Sequence, residues 1–143
     1  KVVPFNLEPY ELEKLVQKIG KKYESMQNDI EYELINMDKP DIVIVAYGTV
    51  ARVAKTTIKK AKKEGINTGL IRPITLYPFP YKIINKYADK VKNILVSEMS
   101  LGQMVEDVKL AVEGKTKVHF CGRTGGVVIS PAEILEKVKK ILK

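Results

Sequence analysis

This sequence contains only one cysteine, Cys121, and one histidine, His119. A lone cysteine closes no disulfide within the chain and cannot by itself hold a structural zinc or an iron–sulfur cluster. A dedicated metal site is therefore not expected, and a reducing cytoplasmic compartment is. No apolar run approaches the roughly 20 residues that span a bilayer, and no signal-peptide pattern opens the chain, so membrane contact is not expected either. The first residue is Lys1 rather than methionine, which fits a fragment or a processed chain. Arginine is scarce: Arg52, Arg72 and Arg123 stand against 22 lysines.

The lysines give a net charge of +8 over 143 residues. Such an excess invites a nucleic-acid reading. The lysines, however, gather on stretches such as KTTIKKAKKE (55–64) and EKVKKILK (136–143), beside apolar residues at helical spacing. That is the pattern of solvated helix faces, and no nucleic-acid partner is expected. With 45% hydrophobic residues the chain is long enough for one compact domain with a core of its own.

Residues 7–27 carry apolar side chains at 12, 15, 16, 19, 23 and 26, which predicts an amphipathic helix opened by Pro9. Its stripe faces either the domain or a neighbour. Residues 28–41 read as a connection, and Pro40 excludes helix there. From Asp41 the pattern changes. The run 42–46 (IVIVA) is β-branched throughout, as in a strand buried on both faces. A helix over 50–64 follows, with Thr49 as its expected N-cap. Strands at 67–71, 93–98 and 117–121 alternate with helices at 81–88, within 100–114 and from Pro131 onward. A glycine-rich loop (122–126) and a short extended piece (127–129) precede the last helix. Alternation of this kind implies right-handed βαβ units and a mostly parallel sheet covered on both faces. The expected organisation is a linking helix and connection over 1–40 and an α/β domain over 41–143.

Candidate chemistry is sparse. His119 and Cys121 share a strand face, but roughly 7 Å apart, too far for an activating hydrogen bond, and both read as packed core residues. Glu106 and Asp107 are adjacent on a helix and do not converge. The turn AYGTVAR (46–52) joins a buried strand to a helix N-terminus, where Gly48 and Thr49 can receive an anion, with Arg123 of the GRTGG loop as a further candidate. Equally, the turn can be an ordinary capped strand–helix junction and the glycines a conformational need. Arg72 and Glu98 each end a strand on the same side of the sheet. If those strands are neighbours, the two form a structural ion pair. If not, both are placed to contact a ligand at the carboxyl edge.

Residues 69–80 read GLIRPITLYPFP and hold three of the chain's seven prolines. Proline fixes φ and removes donors, so the segment is stiff and irregular. Tyr77, Phe79 and Tyr81 supply aromatic area of the kind that anchors interfaces, and some of it is expected to remain exposed.

VIVAYGTVARVA (43–54), GLIRPITLYPFP (69–80), ILVSEMSLGQMVEDV (94–108), GRTGG (122–126) and PAEIL (131–135), in that order, resemble the C-terminal part of the alpha subunit of 2-oxoacid:ferredoxin oxidoreductases. The 2-oxoglutarate type is the most similar, with the branched-chain type second. YELEKLVQKIGKKYE (10–24) resembles the linking helix before that domain. The resemblance implies a three-layer α/β/α sandwich, like the C-terminal domain of transketolase. It implies an enzyme that oxidatively decarboxylates a 2-oxoacid to an acyl-CoA with thiamine diphosphate, magnesium and iron–sulfur clusters, reducing ferredoxin. Those cofactors belong to other domains or subunits, the thiamine diphosphate-binding beta subunit among them. The chain alone is then expected to hold no cofactor and to be a non-catalytic domain for assembly. The alternative is a regulatory domain that binds an anion or nucleotide.

Overall fold

The computed structural model describes residues 8–143. An amphipathic helix, α1 (Pro9–Met26), leads through a 3-10 turn at Gln27–Asp29 into strand β1 (Tyr32–Ile35). Then follow β2 (Ile42–Val45), α2 (Gly48–Lys63), β3 (Thr68–Pro73), α3 (Tyr81–Ala88), β4 (Asn93–Glu98), α4 (Met104–Val112), β5 (Lys117–Gly122) and α5 (Pro131–Leu142). The sheet order is β1-β3-β2-β4-β5. β3, β2, β4 and β5 are parallel, while β1 runs antiparallel along the outer edge of β3.

The continuous apolar strands are explained by two cores. Val43, Val45, Ile94 and Val96 face α3 and α4, together with Phe79, Ile84, Met104, Val105 and Val108. Ile42, Ile44, Leu70 and Leu95 face α2 and α5, with Val50, Ala51, Ala54, Ile134 and Val138. Alternate residues of β2 and β4 thus serve opposite layers, and no position in β2 is free to be polar. The expected mostly parallel α/β/α sandwich, preceded by an amphipathic helix, is what forms.

The segment 28–41 is more than the connection its sequence implies. It contains β1, whose Glu33 lies directly opposite Arg72 on β3, so the sheet begins before residue 41. Four residues are too few to show a clear alternation, and two of them sit half-exposed at an edge. From β1 the chain crosses over the start of β3 to reach β2, and Met37 comes down on Gly69. A Cβ at position 69 would lie 2.8 Å from the Met37 sulfur. Two asparagines tie the crossing: Asn36 donates to Asn67 Oδ1 and to the Thr68 carbonyl, and Asn67 donates to the carbonyls of Asp38 and Lys39. Residues 127–129, read as a short extended piece, enter no strand pairing. α1 buries none of its residues. Its stripe reaches the rest of the molecule through Tyr23, whose ring meets Tyr77 edge to face at 5.5 Å.

Candidate functional site at the carboxyl end of the sheet

The turns after β2, β3, β4 and β5 open at one end of the sheet, where open α/β sheets commonly bind. Arg72 and Glu98 both stand there, but the structure corrects their expected pairing. β2 lies between β3 and β4, so the two strands are not neighbours. Arg72 Nη1 instead donates to Glu33 Oε2 at 3.0 Å, and Lys55 Nζ donates to both Glu33 oxygens at 2.9 Å. Lys55 foremost, then Arg72, holds the Glu33 carboxyl below its ordinary value. Arg72 Nε is left without a partner.

Glu98 is fully buried and has a different task. Its carboxylate accepts the backbone N–H groups of Gln103 and Val105 on Oε1 and of Met104 on Oε2, and Oε2 also accepts the Ser100 hydroxyl. The last residue of β4 is therefore the cap of α4. It satisfies orphan donors at the helix N-terminus and sets a negative charge against the helix dipole. The signal was present in the sequence: an acid ending a strand, a short SLGQ turn and an apolar helix with no capping side chain of its own.

The three aromatics of the proline segment divide. Phe79 is buried in the core, packed edge to face on Tyr81 at 5.1 Å. Tyr81 is half-buried and donates its hydroxyl to Asp107 Oδ1 at 2.6 Å. That bond, with burial added, pushes the phenol up to about 12. Tyr77 remains exposed, beside a cis Tyr77–Pro78 peptide. Part of the group is thus open, as expected. The segment is pinned from below by the Thr75 hydroxyl, which accepts the Glu31 N–H, and by the Glu31 carbonyl, which receives the Ile74 and Thr75 N–H groups.

The structure places Gly48 and Thr49 in the first turn of α2, with Gly48 at φ 54°. Tyr47, not Thr49, occupies the N-cap position, and no side chain caps the helix. The Thr49 hydroxyl accepts a hydrogen bond from Arg52. Arg123 lies in the loop after β5. Its Nε and Nη2 both donate to Glu133 Oε1. Glu133 also completes a capping box with Ser130 at the start of α5. The Ser130 backbone N–H, then Arg123, depresses its carboxyl to about 2. His119 Nε2 meets Asn93 Oδ1 at 2.9 Å, and burial lowers its pKa. Burial pushes the half-buried Cys121 thiol up. Neither is primed for catalysis.

The residues do not fit an iron–sulfur cluster or a divalent cation. There is one thiol, the buried Glu98 is committed to α4, and the described residues hold no group of three His, Cys, Asp or Glu side chains able to take a metal ion. No helix among them is long and apolar enough to cross a membrane.

A mostly parallel five-stranded sheet with paired helices on each face defines a transketolase C-terminal-domain-like fold. Solved structures share the fold. A 2-oxoglutarate:ferredoxin oxidoreductase from Magnetococcus marinus, solved with 2-oxoglutarate, coenzyme A and succinyl-CoA bound, superposes with a TM-score of 0.77 at 19% identity, over 96% of this chain and 24% of that one. A split-gene transketolase in an inactive beta4 tetramer follows at 0.68 and 18%, over 78% of this chain and 41% of that one. The chain belongs to the pyruvate:ferredoxin oxidoreductase core domain II family, whose model matches residues 40–134. Subunit VorB of the ketoisovalerate oxidoreductase of Methanothermobacter thermautotrophicus is 41% identical over 92% of this chain and 37% of that protein. Subunit KorA of the 2-oxoglutarate synthase of Methanothermobacter marburgensis is 34% identical over 88% of this chain and 34% of that protein. The chain thus spans little more than a third of the curated relatives it matches.

Proposed function

We propose that this chain is a non-catalytic part of a branched-chain-type 2-oxoacid:ferredoxin oxidoreductase subunit, serving subunit assembly and support of the thiamine diphosphate-binding part. The observation that carries the reading is the order of the identities. Two ketoisovalerate oxidoreductase subunits stand at 41 and 40%, and four 2-oxoglutarate synthase subunits at 28 to 34%. The motif resemblance favoured the 2-oxoglutarate type, and the branched-chain reading takes its place.

The chemistry of these residues supports a scaffold. Three carboxylates at the carboxyl end are committed to structure: Glu98 caps α4, Glu33 ties Arg72 and Lys55, and Glu133 holds Arg123. When bound elsewhere in the assembled enzyme, thiamine diphosphate would supply the carbanion chemistry of decarboxylation. The residues here would position structure around it. Ferredoxin and coenzyme A would then meet the complete enzyme.

The test is turnover of the chain alone and of the complete oxidoreductase containing it. The chain alone should reduce no ferredoxin, and the complete enzyme should favour 3-methyl-2-oxobutanoate over 2-oxoglutarate. Preference for 2-oxoglutarate would overturn the substrate assignment, and turnover by the isolated chain would overturn the scaffold role. A regulatory anion site at Gly48, Thr49 and Arg123 is the second reading, favoured by the open first turn of α2. Calorimetric titration with phosphate, nucleotides and coenzyme A decides it.

A further inference from the structure

The fold sorts charge to one end of the sheet. The four connections that follow the parallel strands, 46–47, 74–80, 99–103 and 123–130, contain a single charged residue, Arg123, and Glu133 neutralises it. In the connections at the opposite end, 36–41, 64–67, 89–92 and 113–116, half of the residues are charged. For a chain that is 29% charged, the first set is an exception that solubility does not explain. These charge-poor connections are also where large apolar side chains stand open. Leu101 is 91% exposed, and Ile74, Leu76, Tyr77, Val127 and Val128 lie between 47 and 58%. Tyr47, Leu76, Phe79, Gln103, Met104 and Asp107 enclose a dent of about 130 Å³ at this end. Charge returns around these connections, in the first helical turns (Arg52, Asp107), in Glu31 beneath the 74–75 loop, and at the flank in the Glu33, Arg72 and Lys55 cluster.

Depletion of charge around exposed aliphatic and aromatic groups, with a polar rim, is the composition of the core of a permanent protein interface. An anion or nucleotide would call for a free cation in these connections, and the one they hold, Arg123, is paired with Glu133. A second copy would bring another +8 charge alongside, which disfavours self-association. The matched relatives are more than twice as long as the segment aligned with this chain.

We propose that the carboxyl end of the sheet is the permanent seat of the remainder of the oxidoreductase subunit, an uncharged apolar protein surface that covers Leu101, Val127, Val128 and the 74–77 loop. This rests on the assignment of the chain to that subunit, and it names the surface the assignment leaves open. The stiff proline segment and the Glu98-capped α4 turn hold two of the four loops in place before docking, which lowers the ordering cost of association.

The test uses the complete oxidoreductase. Amide hydrogen exchange should be at least tenfold slower at 99–103 and 124–128 in the assembled enzyme than in the isolated chain. Leu101→Asp, and separately Val127→Asp with Val128→Asp, should lower the fraction of chain recovered in assembled enzyme at least tenfold. Lys115→Glu at the opposite end should leave that fraction unchanged. Circular dichroism of each isolated variant checks that folding is intact, and the exchange measurement needs no variant. Assembly with these loops exchanging as in the isolated chain would overturn the surface and spare the subunit assignment. Failure of the native chain to assemble would overturn both. Concentration-dependent dimers of the isolated chain abolished by Leu101→Asp would name a second copy as the occupant and overturn the proposal.

Discussion

At the scale of single residues, two carboxylates carry more structure than their positions advertise. Glu98 accepts three buried N–H groups and a hydroxyl. Glu98→Ala removes all four acceptor contacts and opens space in the core, so the expected loss is roughly 3 kcal/mol or more, read from urea denaturation midpoints. Glu133 shows its role through pH. Its folded pKa of about 2 lies below the ordinary 4.5, so the folded state binds its proton less readily than the unfolded state. Its contribution is present above pH 4.5 and is lost as pH falls from 4.5 toward 2. In Glu133→Gln, the acid loss of stability across that window should be shallower than in the native chain, as followed by thermal melts. Tyr81 works in the alkaline direction. Its phenol is raised from 10 to about 12, so its contribution is present below pH 10 and lost as pH rises toward 12. Asp107→Asn should move the tyrosinate absorbance change to lower pH, because the hydrogen bond to a carboxylate is the main cause of the shift.

At the scale of elements, much was legible. The limits of α3 and β4 follow from apolar spacing together with the proline or charged turns that bracket each. β1 was not legible, since four edge residues carry too little pattern. The α1 stripe was legible as helix, but its partner was not, because amphipathicity says that a face seeks burial and not against what. α1 contributes no buried residue, and its ring contact with Tyr77 is worth about 1 kcal/mol. Tyr23→Ala should therefore lower stability by no more than about 1.5 kcal/mol, read from urea denaturation midpoints. A close approach between two connections adds a sharper expectation. A Cβ on Gly122 would collide with the Phe120 ring and lie 2.7 Å from the Ser100 carbonyl. Gly122→Ala should cost about 2 kcal/mol by forcing β5 away from the β4–α4 turn, measurable as a lowered denaturation midpoint.

At the scale of the whole molecule, the sequence by itself determined the class. β-branched runs and helical spacing leave an α/β domain with four parallel strands. The proline and glycine motifs carried the family as well. Only the tertiary structure decided which groups meet. Strand order is not written in strand sequence, and β2, lying between β3 and β4, separates Arg72 from Glu98. Each then took the nearest group of opposite polarity, Glu33 on the antiparallel edge for one and the α4 N-terminus for the other. The same holds for the charge-poor loops. These four connections lie far apart along the chain, and parallel pairing brings them together because every βαβ unit returns its next strand in the same direction.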